Sequence, residues 1–222
     1  HTRLRTVTGV QTCALPIYAL LAGLGANGWR MWNELRVELN VGQYLDMLGS
    51  AQNERNPQKA ARICRYKSGK YTIERPLHLG ALLADDESDL LDAYSAYGLP
   101  LGDAFQLRDD VLGAFGDSSV TGKPVGDDLR EGKPTPLMAL ALARADAAQR
   151  AVLDQVGRKS LSATEVAAVQ QAIIDCGAAR EMEATIERLT AQAIDEITRA
   201  PIDATVRERL VELAHFVSDR RV

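Results

Sequence analysis

The sequence predicts an all-α fold, a single helical bundle, on three observations. Apolar residues recur at three- and four-residue spacing over most of the 222 residues. Helix punctuation cuts the chain into segments of helical length, and no stretch alternates apolar and polar residues as a half-buried strand does. Composition agrees, since 46% hydrophobic, 25% charged and only 5% aromatic residues describe an Ala- and Leu-rich helical chain. At 24.1 kDa it is long enough for one domain with a sizeable core, and no repeat, low-complexity stretch or linker divides it.

Residues 1–17, HTRLRTVTGVQTCALPI, have neither periodicity and start without methionine. They are expected to be foreign or disordered, resembling adaptor DNA translated into a truncated reading frame. Two alternatives stay open. Arg3 and Arg5 before an apolar run suit a secretory signal, against Pro16, and the run is short of the ~18–20 residues of a membrane span. From 29 to 48 the chain is amphipathic, with Leu35, Leu39, Gly42, Leu45 and Leu48 on one side. Gln43 and Asp46, three apart, share another face; on such a helix these types are more often surface residues.

Asn56-Pro57 reads as an N-cap and first helical residue of a helix that carries Ala60, Ala61, Ile63 and Cys64 and runs to Tyr66 or Lys67. Ser68-Gly69 predicts a kink or break there, and Lys67 alone reads as a solvated helix-end cation. Pro76 opens the next helix, with His78 as a packed or surface residue. Asp85-Asp86-Glu87 reads as a solvated turn and helix N-terminus. Leu101, Ala104, Phe105, Leu107, Val111 and Leu112 give a helix stopped by Gly113 or Gly116, then a polar loop over 117–136. A helix over 137–156 follows. Ser162-x-x-Glu165 is a capping box opening a helix with Val166, Val169, Ile173 and Cys176, closed by Gly177. The last two helices bury Met182, Ile186, Leu189, Ala193 and Ile197, then Val206, Leu210, Leu213 and Val217.

The chemistry concentrates in residues 102–136. Asp103, Gln106 and Asp110 share a helix face with Asp109 beside them, near a helix end where the macrodipole disfavours each anion by about 0.3–1 kcal/mol. Cations are needed to balance them. The loop supplies Lys123 and Lys133, each after a glycine, together with Asp127 and Asp128. Loops longer than ~12–15 residues are uncommon unless functional or disordered. Carboxylates on a rigid helix and lysines on a flap suit a polyphosphate held through a divalent metal, because Mg²⁺ is commonly shared between one or two carboxylates and substrate phosphates. A surface helix with an acidic end is the plainer alternative.

Other classes are disfavoured. A net charge of −4 and pI near 5.5, with no basic stripe, argue against nucleic acid. Cys13, Cys64 and Cys176 lack metal-ligand spacing and read as thiols in a reducing cytoplasm. His1, His78 and His215 form no ligand pair.

FQLRDD, FGD, TGKP, GDDL and EGKPT, preceded by GQYLD at 42–46 and YKSGKYT at 66–72, resemble in order the trans-isoprenyl diphosphate synthases, the polyprenyl synthetase family. The likeness covers about 29–222 and is nearest to bacterial geranylgeranyl-type synthases, which makes 18–222 a partial synthase domain. It implies the isoprenoid synthase fold lacking its first helices, and a prenyltransferase joining an allylic diphosphate to isopentenyl diphosphate with release of pyrophosphate. It implies Mg²⁺ on Asp109 and Asp110, with Gln106 a hydrogen-bonding neighbour. Lys67, Lys123 and Lys133 would meet diphosphate oxygens, Ser68 would sit beside them, and Gln43 and Asp46 would line the cavity opposite. Asp128 matches the family's aspartate after the glycine. A homodimer and a cytoplasmic location are implied as well.

The chain departs from the pattern in two places. The fifth position of its aspartate motif is Gly113, with Asp117 one turn on, and the family's first aspartate-rich motif, its downstream Arg-Arg and its upstream Gly-Lys-Arg patch do not occur in the sequence. The chain by itself is therefore expected to be inactive or nearly so in elongation. A terpene cyclase or silent partner subunit of the same fold, and a non-enzymatic helical interaction module, are the competing readings.

Overall fold

A computed structural model describes residues 22–51, 56–86, 88–116, 125–157 and 161–219, which form ten α-helices and one π-helical stretch with no strand among them. Helix α1 is Ala26–Ala51. Its first amides are satisfied from across the chain: the Asp86 carboxylate accepts the N–H groups of Asn27 and Gly28 at 3.1 and 2.9 Å. Asp86 is thus a long-range helix cap rather than a solvated turn residue, because unpaired amides at a helix start favour a carboxylate.

Helix α2, Pro57–Cys64, is capped as the sequence predicts, with Asn56 Oδ1 accepting from Gln58 and Lys59. The break predicted at Ser68-Gly69 does not occur. The chain continues as a π-helix over Arg65–Glu74 and passes directly into α3, Arg75–Ala84, with Pro76 in its first turn. The small residue serves contact instead of termination. A Cβ on Gly102 would lie 2.5 Å from the Gly69 carbonyl oxygen, so the two backbones touch. π-Helical insertions are rare and recur at functional sites.

Helix α4, Leu91–Phe115, starts well before Leu101, runs through Pro100 and is closed by Gly116. Its C-terminal half enters one core with Ala104, Val111 and Ala114, alongside Leu129, Leu137, Val169, Ile173 and Ile186. Its N-terminal half enters a second with Tyr97 and Leu101, alongside Ile73, Ala193, Ile197, Leu210 and Ala214. Burying each such Leu or Ile side chain contributes about 1.5–3 kcal/mol. Since α9 is Ala178–Arg199, Met182 and Ile186 meet the end of α4 while Ala193 and Ile197 meet its start. The two helices therefore run antiparallel.

The expected loop over 117–136 contains a short helix, α5, Asp127–Glu131, flanked by Gly126 and Gly132, both at φ 69°. The helix predicted over 137–156 divides into α6, Pro136–Arg144, and α7, Ala147–Leu153. Asp146 causes the division: its Oδ1 accepts from Gln149 N at 2.8 Å while Gln149 Oε1 accepts from Asp146 N at 2.9 Å. This capping box competes with helix continuation. Helix α8, Ala163–Asp175, has the predicted Ser162–Glu165 box, and α10 is Ala204–Ser218. None of the described helices is long and apolar enough to cross a membrane.

Candidate active site

The site begins on α4. Gly102, Gln106, Asp109 and Gly113 fall at i, i+4, i+7 and i+11, one stripe of the helix, with Asp110 beside it. Asp110 is buried, and its Oδ1 accepts a hydrogen bond from Gln106 Nε2 at 3.0 Å; Asp109 is half-buried. The two acids face the protein rather than open water. Asp103, grouped with them by spacing, is engaged elsewhere: the Arg65 guanidinium donates to it, Nε to Oδ1 at 3.1 Å. That hydrogen bond raises the Arg65 pKa above its ordinary value against the opposing effect of burial.

Helix α5 brings a further acid to the end of the stripe. A Cβ on Gly113 would lie 2.5 Å from Asp128 Cγ, so the Asp128 carboxyl group fills the space over that glycine. Lys133 Nζ is ion-paired with Asp128 and lies 3.0 Å from Glu131. Burial alone would depress the Lys133 pKa, but its hydrogen bonds to Asp128 and Glu131 outweigh it and raise the pKa. Asp127, Asp128 and Glu131 also offer carboxylate oxygens within 4.8 Å of one another.

The opposite wall is the π segment. Lys67 and Ser68 lie in it between Arg65, which pairs with Asp103, and Gly69, which touches Gly102. The segment thus follows the α4 stripe at its N-terminal end. The Lys67 side chain, and Lys123 and Asp117 entirely, fall outside the described residues. On α1, Gln43 is exposed and Asp46 half-buried. The π segment packs on both α1 and α4, and so stands between Gln43, Asp46 and the aspartates. Gln106, Asp109, Asp110 and Lys133 thus come together around Asp128, with the backbone of Lys67 and Ser68 near by.

Sequence reasoning missed a buried polar network that fixes this wall. Arg75 donates to both oxygens of Glu38 on α1 at 2.8 Å, and Lys70 pairs with Glu38 as well. Burial pushes the Glu38 pKa up, yet the hydrogen bonds from Arg75 and Lys70 bring it below its ordinary value. Ser95 Oγ donates to Glu74 at 2.9 Å and lies 3.0 Å from His78 Nε2, which is also 3.0 Å from the Leu91 carbonyl oxygen. Arg75 Nη1 is 3.3 Å from His78 Nδ1. A neutral imidazole with its proton on Nε2 suits these partners, and burial lowers the His78 pKa. A second missed contact is Arg108, which donates to both oxygens of Glu183 at 2.7 Å and fixes the rotation of α4 against α9 beside Asp109. No local pattern marks these pairs, whose members lie far apart in sequence.

The donor set fits a hard divalent cation. Asp109, Asp110 and Asp128 supply carboxylate oxygens at the place where the missing Cβ of Gly113 leaves room for one of them, with no thiol or imidazole in the set.

Comparison with known proteins agrees with this arrangement. A geranylfarnesyl diphosphate synthase from Aeropyrum pernix is 32% identical over 193 residues, 86% of this chain and 59% of the relative. A (2E,6E)-farnesyl diphosphate synthase from Mycobacterium bovis is 38% identical over 148 residues, 64% of this chain and 41% of the relative. Among solved structures, geranylgeranyl pyrophosphate synthase from Corynebacterium glutamicum, complexed with isoprenyl diphosphate and magnesium, superposes with a TM-score of 0.85 at 38% identity. The match covers 89% of this chain and 57% of that one. Polyprenyl synthase from Caulobacter crescentus, complexed with calcium and isoprenyl diphosphate, gives 0.82 at 26% identity over 93% and 62%. The chain thus spans between two fifths and about three fifths of the length of these relatives. The profile of the family described as polyprenyl synthetase matches residues 7–174, and the chain belongs to the polyprenyl synthetase family.

Proposed function

We propose that this chain carries the pyrophosphate-binding wall of a prenyltransferase that condenses an allylic diphosphate with isopentenyl diphosphate, releasing pyrophosphate, in isoprenoid biosynthesis. The observation that carries the reading is the convergence of Gln106, Asp109, Asp110, Asp128 and Lys133 at the end of α4, with the π segment alongside. The ligands of the solved relatives support it: isoprenyl diphosphate with magnesium in one and with calcium in the other.

In this reading Asp109 and Asp110 hold Mg²⁺, which when bound would neutralise charge on the departing diphosphate. Gln106 orients the Asp110 carboxylate. Lys67, Lys123 and Lys133 bring preorganised positive charge to the diphosphate oxygens, and Ser68 adds a hydroxyl. Gln43 and Asp46 line the far side of the substrate cavity. The buried faces of α4 and the π segment exclude water, which would otherwise quench a carbocation.

A homodimer and a cytoplasmic location belong to the same proposal. The apolar outward face of α1 supports the first, and the free thiols of Cys64 and Cys176 support the second.

Thermal unfolding with Mg²⁺ and inorganic pyrophosphate tests the reading. A ligand at a hundred times its Kd stabilises the folded state by about 2.7 kcal/mol. A rise in Tm that needs both components is expected, and its absence would favour a helical interaction module. Elongation assayed with labelled isopentenyl diphosphate and an allylic diphosphate is expected to be low or nil for this chain, because its sequence has no first aspartate-rich motif. Efficient elongation would remove that part of the proposal.

A further inference from the structure

Gly113 is where the aspartate stripe of α4 runs out of carboxylates, and it is also where another carboxylate arrives from outside the helix. Gly113 follows Asp109 by four residues and Asp110 by three, so its Cα lies on their face, one turn further on. Side chains at such spacing have Cβ atoms roughly 5–6 Å apart. A Cβ built on Gly113 would lie 2.5 Å from Asp128 Cγ and 3.2 Å from Asp128 Cβ, closer than a carboxyl group tolerates. The Asp128 carboxylate therefore occupies the volume into which a side chain at 113 would project.

Three features hold it there. Helix α5 is a single short turn set between Gly126 and Gly132, both left-handed, which fixes its approach to α4. Leu129, next in sequence, is 1% exposed and anchors that turn in the same core as Val111 and Ala114 of α4. Lys133 is ion-paired with Asp128 on the side held by α5 and keeps the carboxylate charged.

Resting on the diphosphate reading above, we infer that Asp128 is the third carboxylate of the metal–diphosphate site, delivered from α5 into the space that Gly113 leaves open. Residue 113 and residue 128 are then alternatives: the site takes one carboxylate at this point, from either element, but not both. Lys133 is a positioning residue for Asp128. Asp127 and Glu131 are not part of the wall, although their oxygens lie near those of Asp128. An aspartate added at 113 does not improve the site while Asp128 is present; it collides with it.

The experiment uses the full chain, with Mg²⁺ and inorganic pyrophosphate as probes and the pyrophosphate-dependent Tm rise as readout. Circular dichroism and the unliganded Tm check the fold of each variant. Asp128→Asn, close to isosteric, is expected to raise the half-saturating Mg²⁺ concentration by about tenfold or more, as loss of a group that directs metal binding does. Gly113→Ala and Gly113→Asp should shift it the same way by displacing the carboxylate. The pair Gly113→Asp with Asp128→Ala should return it to within about threefold of the unsubstituted chain, on the ordinary non-additivity of residues in contact. Asp127→Asn and Glu131→Gln should leave it nearly unchanged.

The inference is overturned if Asp128→Asn binds like the unsubstituted chain. It is equally overturned if the double variant is no better than Asp128→Ala, or if Asp127→Asn and Glu131→Gln weaken binding as much as Asp128→Asn. A chain in which pyrophosphate and Mg²⁺ give no stabilisation at all fails earlier, at the diphosphate reading itself.

Discussion

Helices α1 and α4 are almost equal in length, 26 and 25 residues, and each carries residues assigned to one site, yet they are built differently. Helix α4 is enclosed: Tyr97, Leu101 and Ala104 are fully buried, and its polar residues are held by Gln106, Arg65, Glu183 or Asp128. Helix α1 is anchored on one side only, through Leu35, the Asp86 cap and the Arg75–Glu38 pair. Its outward face carries Val37, Val41, Tyr44 and Met47 at 63, 45, 66 and 72% exposure. Metal ligands need a geometry fixed by packing, and α4 has it. The Gln43 and Asp46 positions on α1 lie on a helix with half of that support.

The largest expected effect breaks this contrast at its source. Leu101→Ala removes a fully buried side chain from the core shared by α4, α9 and α10, and should cost about 2–5 kcal/mol in urea unfolding. Met47→Ala on α1 removes a side chain of similar size and should change stability by no more than about 0.5 kcal/mol. If the two costs were equal, α1 would be as enclosed as α4.

Gly102→Ala is next. Its Cβ would meet the Gly69 carbonyl and force α4 and the π segment apart, and overpacking of this kind costs about 1–3 kcal/mol. The substitution separates two kinds of effect. A structural loss lowers the unliganded Tm. A widened gap between the π segment and the aspartates also raises the Mg²⁺ needed for pyrophosphate binding. Both shifts are expected together.

How far this was legible in sequence follows from the same residues. The bundle, its caps at Asn56 and Ser162, and the pairing of Gln106 with Asp110 depend on neighbours within a few positions, and such spacing is visible in one dimension. The Ser68-Gly69 reading failed because Gly69 is small for the sake of Gly102, 33 residues away. Asp86 was misjudged because the amides it caps belong to α1, and Asp146 because one cap outweighed a long run of helix-forming residues. Gly113 reads as a lost carboxylate until α5 places Asp128 over it. Asp128 is marked in the sequence by a motif, but nothing local says where its carboxylate goes.

Acidity should strain the attachment of α1 and α3 more than the α4 core. The folded pKa of His78 lies below its ordinary value of 6.5, and Arg75, Glu74, Lys70 and Ser95 face it from the π segment, α3 and α4. The unfolded chain therefore binds the proton first. The stability contributed by neutral His78 is complete above pH 6.5 and is lost as pH falls through the lower folded value. Glu38, also depressed, adds a second loss beginning below pH 4.5. Unfolding midpoints between pH 8 and pH 4 should fall on acidification, and His78→Gln should remove the first part of that fall. A profile in His78→Gln parallel to that of the unsubstituted chain would detach the imidazole from this role.

The smallest expected effect concerns the outward face of α1. Val37, Val41, Tyr44 and Met47 recur at three- and four-residue steps along one stripe, and contiguous exposed apolar surface of this kind marks contact with another surface. Tyr44→Glu leaves the packed side of α1 untouched, so the unfolding free energy of the isolated chain should move by no more than about 0.5 kcal/mol. Its consequence should appear in association: a second copy seated on this face would lose apolar burial and gain a desolvated charge, shifting the chain towards monomer in multi-angle light scattering. If Tyr44→Glu lowers stability to the extent that Leu101→Ala does, the face is covered within the chain itself, and the contrast between the two helices disappears. If stability and mass are both unchanged, the stripe is plain surface, and the proposed homodimer must use a different face.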